Sequence, residues 1–381
     1  MREIDFGTIM TLVKGKKPRQ LFKEAQEGAL PYVDIKAFEL NEVQNYTDGV
    51  KCVPCDENDV LIVCDGSRSG LVGKGIKGYV GSTLAKVSAE GIIRDYLYYF
   101  LQSKYRVFNT HKKGTGTPHL NQELLKSQKI IILPIQQQQK IVSRIEELFS
   151  KLDKGVETLQ TIKQQLAVYR QAVYSSNFNK IGDFRPIVDF FEISGGLTKN
   201  SKRQELPQQV PYLRVANVYY NCLELDVIKT IGVTEKELQK CSLKTSDLLF
   251  VEGNGSKSQI GRVAMWDGSI ETCVHQNHLI RGRANGKILP KYALYYLISQ
   301  EGRKQIIDIA KSTSGLYTLS INKVKNLQIP FCSRPEQETI LNEIEARLSV
   351  CDSIEQTVDE ALAQADAMRQ SILKQAFEGK L

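Results

Sequence analysis

The chain has 381 residues, of which 25% are charged and 41% hydrophobic, a composition that excludes a disordered or fibrous protein and fits a folded, soluble one. That length is too great for a single ordinary core and predicts two or more domains. No apolar run reaches membrane-spanning length, the opening MREIDFGT lacks the apolar core of a signal peptide, and the net charge of +8 favours an anionic partner. With no secretory signal, the eight scattered cysteines, among them Cys64 and Cys273 inside apolar runs, read as reduced thiols of a cytoplasmic protein.

A first domain is expected over 1–133. Its first notable loop is Lys14-Gly-Lys-Lys-Pro-Arg19, which follows a strand-like run and precedes Pro31-Tyr-Val-Asp-Ile35. Cys52-Val-Pro-Cys55 has the inner spacing of a zinc pair, but no second pair lies at a suitable distance. The β-branched runs 60–63 and 130–133 predict strands. Gly73-Lys-Gly-Ile-Lys-Gly78 has the spacing of a dinucleotide loop, yet its flanks, Ser67-Arg-Ser-Gly70 and Tyr79-Val-Gly-Ser82, predict a hairpin rather than a strand and a helix. Residues 92–104 predict a helix whose tyrosines, at helical spacing, face a core rather than stack on bases.

A central long helix is expected over 134–178. Ile145, Leu148, Leu152, Leu159, Ile162, Leu166, Tyr169 and Val173 alternate steps of three and four, with one slot falling on Gly155. That is a coiled-coil seam. From 136 to 174 such a helix is roughly 60 Å long. Pro134 stands where a proline is tolerated, and Gly155 loosens or bends the helix.

The second domain, 179–330, repeats the first. Pro31-Tyr-Val-Asp-Ile35 corresponds to Pro211-Tyr-Leu-Arg-Val215, and Asp59-Val-Leu-Ile-Val63 to Asp247-Leu-Leu-Phe-Val251. Tyr96-Leu-Tyr-Tyr-Phe-Leu101 corresponds to Tyr292-Ala-Leu-Tyr-Tyr-Leu297, a stretch within a helix expected over 290–308. Gly114-Thr-Gly-Thr-Pro-His-Leu-Asn121 corresponds to Gly315-Leu-Tyr-Thr-Leu-Ser-Ile-Asn322. The offset drifts from 180 through 188 and 196 to 201, so loops take insertions while a framework is kept. His275-Gln-Asn-His278 sets its histidines on opposite faces of a strand, a poor chelate suited to a structural or DNA-facing role. The last segment, 331–381, repeats the helix: Ile344, Cys351, Ile354, Val358, Ala361, Ala365, Met368 and Ile372 carry the seam, with one slot lost to Arg347 and an offset of 199 at both ends. Two matched helices most simply bury these seams against each other, with Gly155, Ala361 and Ala365 allowing close approach. The fold class is therefore α+β, with two similar mixed α/β domains separated by two long helices.

Lys199-Asn-Ser-Lys-Arg203 occupies the place of the first basic loop. Clustered cations on loops neutralise phosphates, whereas any single run is as readily a solvated surface. Recurrence favours nucleic acid and marks Lys14, Lys16, Lys17, Arg19, Lys199, Lys202 and Arg203. Arg68, Lys74, Lys77, Lys112 and Lys113 in the first copy, and Lys257, Arg262 and Lys311 in the second, extend the set. Asn217, Asn254 and Gln259 carry amides with the geometry adenine takes. No phosphate loop, nucleophile elbow, His-Glu-x-x-His or Asn-Pro-Pro-aromatic motif occurs, so no catalytic, cofactor or metal residue is assigned. Glu146, Glu147, Glu343 and Glu345 read as exposed helix flanks.

This layout resembles the DNA-specificity subunit of Type I restriction–modification systems over essentially the whole chain. The carrying residues are Ile131-Ile-Leu-Pro134 leading to Ile141-Val-Ser-Arg-Ile-Glu-Glu-Leu148, Ile329-Pro330 leading through Glu336-Gln337 to Ile340-Leu-Asn-Glu-Ile344, and the close Ser371-Ile-Leu-Lys-Gln-Ala-Phe-Glu-Gly-Lys-Leu381. Gln137-Gln138 departs from the usual Glu-Gln, and the abrupt entry into the first domain leaves room for a short preceding segment. The resemblance implies a non-catalytic subunit with two target-recognition domains, each binding half of a split double-stranded DNA target. It implies a pseudo-twofold arrangement in which the helices form an antiparallel coiled coil that sets the gap. Two rigidly spaced readers closing around one duplex are expected to bend or clamp the DNA. Two methylation subunits carrying S-adenosylmethionine, and restriction subunits, are the implied partners; no cofactor is expected in this chain. A coiled-coil scaffold without DNA readout is the alternative. Phe149, Tyr174 and Phe377 on the helix flanks are candidate docking residues for those partners.

Overall fold

The computed structural model describes residues 2–114, 116, 118–313 and 315–381, with main chain only at 2 and 311–313. Thr115 and Thr117 of the Gly-Thr motif, and the side chain of Lys311, lie outside the described residues. The chain divides into two compact units, 1–160 with 359–381, and 161–358.

In the first unit a four-stranded antiparallel sheet runs in the order Met10–Lys14, Leu84–Ala89, Val60–Val63, Val72–Lys74. All four residues of Val60–Val63 are buried, which is why that strand reads as an unbroken apolar run rather than an alternating one. Helix Arg94–Ser103 covers the sheet with Tyr96, Leu97, Tyr99, Phe100 and Leu101, so the tyrosine face is core, as its spacing predicted. A smaller sheet pairs Leu30–Val33 in parallel with Gly78–Val80, and a two-stranded ribbon joins Arg2–Asp5 to Lys129–Ile132.

The second unit repeats this plan. Its main sheet runs Phe191–Gly195, Leu279–Ala284, Leu248–Val251, Val263–Met265, Gln209–Leu213 lies parallel to Val274–His275, and Phe184–Pro186 pairs with Gln328–Pro330. The strand order is the same as in the first unit. Two expectations are corrected. The helical stretch 290–308 is two helices, Pro290–Ile298 and Gln300–Ile309, because extended Ser299 caps the second through its hydroxyl. The predicted hairpin around Gly73–Gly78 is absent: Val72–Lys74 and Gly78–Val80 belong to different sheets.

The long helices are Ile135–Phe178 and Arg334–Phe377. In the first unit Ile145 and Phe149 share a core with Leu373 and Ala376, and Asp153 pairs with Arg369. In the second, Val173 and Tyr174 share a core with Ile344 and Leu348, and Arg170 reaches Asp352 at 2.7 Å and Glu355 at 2.8 Å. In each unit rising numbers on one helix meet falling numbers on the other, so the segments are antiparallel. The two arginine–aspartate pairs are the same pair displaced by 199 residues.

The seam differs from its expected membership. Tyr169, Ile354 and Met368 are 47%, 40% and 55% exposed, and Leu348 takes the burial that the Arg347 slot lacks. The helices also serve the domain cores, so Phe149 and Tyr174 are buried there and Phe377 packs against Tyr96 and Phe100. Phe149 and Tyr174 are thus core residues rather than free docking sites, and Phe377 lies partly buried against the first core. A Cβ at Gly155 would meet nothing within 4 Å, so this glycine does not serve close approach.

Candidate nucleic-acid interface

In the first unit three loops meet at one edge of the main sheet. The loop after Met10–Lys14 starts with Gly15, whose missing Cβ would lie 2.1 Å from the Gly81 carbonyl oxygen; the tight crossing requires glycine. The loop after Val60–Val63 supplies Asp65 and Arg68, and His119 bridges both Lys113 and Asp65. Lys14 Nζ lies 2.8 Å from Asp65, and His119 Nδ1 lies 2.7 Å from the same carboxylate. Burial opposes the shift, yet the bonds from Lys14 and His119 hold the Asp65 carboxyl below the usual range.

The predicted cations of this unit separate into two sets. Lys16, Lys17, Arg19 and Lys77 are exposed and carry no hydrogen bond or ion pair among the described residues. The others are engaged. Arg68 pairs with Glu39, Lys113 lies 2.6 Å from Glu123, and Lys112 donates to the Ser67 carbonyl at 2.8 Å. Lys74 pairs with Asp95 at 3.0 Å and lies over the Tyr98 ring, which directs it to the core-covering helix.

The second unit builds the same edge. Gly196 sits where Gly15 does, its absent Cβ 2.2 Å from the His275 carbonyl oxygen. Lys199, Lys202 and Lys257 are exposed without a partner among the described residues. Arg203 is not. Its guanidinium donates to the Thr198 carbonyl at 2.7 Å, the Gly232 carbonyl at 3.0 Å and both Glu237 oxygens at 3.1 and 2.7 Å, leaving the side chain 12% exposed. The Arg203 bonds, with those of the Thr234 cap, hold the Glu237 carboxyl down at about 2. Arg203 is thus an internal strut rather than a phosphate ligand. Arg262 is another, 8% exposed, donating to the Val215 carbonyl and lying 4.5 Å from the Tyr219 ring centre.

Asn217 is buried and closes a short helical turn by accepting from the Arg214 amide and donating to the Glu224 carbonyl, so it faces no base. Asn254 accepts from the Ser256 amide at 2.9 Å on the loop that also presents Lys257 and Gln259. His275 is fully buried against the Cys241 carbonyl, and burial lowers its pKa to about 4. His278 is exposed, with Nδ1 3.2 Å from Glu252. The Cys55 thiol is buried beside the Ile76 carbonyl, and burial pushes it up to about 11. All eight cysteines are free, and no three His, Cys, Asp or Glu side chains gather as metal ligands among the described residues.

The family model for the Type I restriction modification DNA specificity domain matches the chain twice, over 3–167 and 182–364. The chain belongs to that family. Sequence-specific DNA recognition is the function that follows, and nothing favours a scaffold without readout. The chain is 25% identical to the Type I restriction enzyme EcoKI specificity subunit of Escherichia coli K12, over 98% of this chain and 88% of that one. It is 24% identical to the MjaVIII specificity subunit of Methanocaldococcus jannaschii, over 99% and 92%. A solved structure described as the basis of complex assembly and conformational transition of the type I R-M system shares the fold at a TM-score of 0.71, with 15% identity over 100% of this chain and 98% of the other. The HsdS subunit of Thermoanaerobacter tengcongensis does so at 0.52, with 14% identity over 100% and 97%.

For a specificity subunit, two features escaped the sequence reading. Gln138 and Gln337, 199 apart, are fully buried at the starts of the two long helices. Gln138 accepts from the Ile93 amide at 2.9 Å and donates to the Gly91 and Leu133 carbonyls at 2.7 and 2.8 Å. Gln337 accepts from the Leu289 amide at 2.9 Å and donates to the Cys332 carbonyl at 2.9 Å. Each ties a long helix to the helix covering its sheet, so the departure at Gln137 leaves the working residue intact. The repeated glutamine was visible, but its burial was not. The pairing of His119 with Asp65 had no signal, because 54 residues separate them.

Proposed function

We propose that this chain is the non-catalytic reader of a split double-stranded DNA target, with 1–133 and 179–330 as target-recognition domains, each binding one half. The helices 134–178 and 331–381 form the spacer, and two methylation subunits and the restriction subunits assemble on it in the cytoplasm. S-adenosylmethionine belongs to the methylation subunits, and this chain holds no cofactor. The observation that carries the reading is the repeated edge: the same strand order in both units, with unpaired lysines on the loop that follows the first strand of each main sheet, Lys16 and Lys17 in one and Lys199 and Lys202 in the other. Such loops can neutralise phosphates and bring amides and imidazoles to base edges. The DNA-contacting set narrows to Lys16, Lys17, Arg19 and Lys77 in one domain, and Lys199, Lys202, Asn254, Lys257 and Gln259 in the other.

Co-expression with the methylation subunit, followed by mapping of methylated DNA, tests this. A split motif is expected, and exchanging one domain should change one half only. A continuous motif, or none, would remove the reading. Measurable binding of S-adenosylmethionine by this chain alone would overturn its non-catalytic role.

A further inference from the structure

In the first unit both oxygens of Asp65 are engaged: Oδ1 with His119 Nδ1 at 2.7 Å and Oδ2 with Lys14 at 2.8 Å, while 53% of the His119 side chain stays exposed. In the second, Glu252 holds His278 Nδ1 at 3.2 Å, and 55% of that side chain is exposed. The two carboxylates stand just past matching strands, Val60–Val63 and Leu248–Val251. The histidines do not match. His119 bridges Lys113 and Asp65, whereas the His278 carbonyl accepts from the Glu252 amide, the place that Thr83 holds beside Cys64 in the first unit.

Framework residues such as Gln138 and Gln337 recur at a fixed offset; this pair recurs in kind from positions that do not correspond. A histidine–carboxylate contact whose imidazole is more than half exposed contributes little to stability, so folding does not account for it. Both pairs lie where the basic loops meet the strand ends.

A carboxylate against Nδ1 takes the N–H of a neutral imidazole, fixes the ring, and leaves Nε2 as a lone-pair acceptor. In the major groove the matching donors are the exocyclic amino groups of adenine and cytosine; guanine and thymine offer none there. We infer that His119 and His278 are base-reading residues, each accepting through Nε2 a hydrogen bond from the amino group of an adenine or cytosine in its own half of the target. This rests on the DNA-reading assignment above. Asp65 and Glu252 are positioning residues for the two rings.

The test uses the complex with the methylation subunit, comparing the wild type with His119→Ala and His278→Ala. Each variant should lose roughly tenfold of discrimination at one adenine or cytosine position, in one half only, with the salt dependence of binding unchanged. His119→Gln, whose amide oxygen still accepts, should recover part of the preference. A wild-type split motif that neither variant alters overturns this inference alone. So does a uniform loss of affinity with the log–log salt slope smaller by about one, the mark of a phosphate contact. A wild type without a split motif would remove the DNA-reading assignment and this inference with it.

Discussion

Lys202 and Arg203 are neighbours with opposite roles. Lys202 faces solvent, whereas Arg203 holds Glu237 and two carbonyls beneath the loop. Arg203→Ala should therefore lower stability by about 2 kcal/mol, because charge-assisted bonds are lost and Glu237 keeps only its Thr234 partners; urea unfolding measures it. The double variant Lys199→Glu with Lys202→Glu should leave the unfolding midpoint in place and reduce the salt slope of DNA binding by about 2. A fall in stability without a change of slope would reverse the two assignments. Glu237 adds a pH signature. Its folded pKa, about 2, lies below that of an unfolded glutamate, so its stabilisation is present above about pH 4.3 and is lost as pH falls toward 2. Wild type should lose stability relative to Glu237→Gln across that window, and parallel curves would refute the linkage.

The long helices act as elements of two kinds at once. Each is a partner to the other and also a wall of a domain core, which is why Phe149 and Tyr174 are buried while the seam position at Tyr169 is open. Gly155 lies mid-helix with open space around it, so Gly155→Ala should stabilise by about 1 kcal/mol through helix propensity alone. A destabilised variant would mean that the glycine serves a bend. The buried glutamines behave oppositely. Glu at 138 or 337 could still accept the amide but could not donate to the carbonyls, and a buried charge would face them. Gln138→Glu and Gln337→Glu should each cost about 2–4 kcal/mol in unfolding experiments.

For the whole molecule, the proposed spacer makes a prediction about length. Inserting one heptad into each long helix adds about 10 Å, close to three base pairs of DNA. The gap in the methylated motif should widen by about that much while both half-motifs stay the same, as methylation mapping would show. Altered half-motifs with an unchanged gap would separate the helices from spacing.

The architecture was legible because it rests on periodicity and repetition, which are local properties of a chain. Seven-residue spacing, doubled at an offset of 199, gave both long helices; the apolar run Val60–Val63 gave one central strand, and the repeat carried it to Leu248–Val251. Tyrosines at helical spacing went to the cores for the same reason. What the sequence could not assign was how each polar side chain is engaged. Lys16 and Lys74, or Lys202 and Arg203, look alike in a basic run; only folding brings Asp95 to one and Glu237 to another while leaving their counterparts in water. The hydrophobic pattern is set by burial along one element at a time. Charge pairing and hydrogen bonding at the loop edge are set by side chains far apart in sequence, so the tertiary structure alone decided which cations are free and which histidines are held.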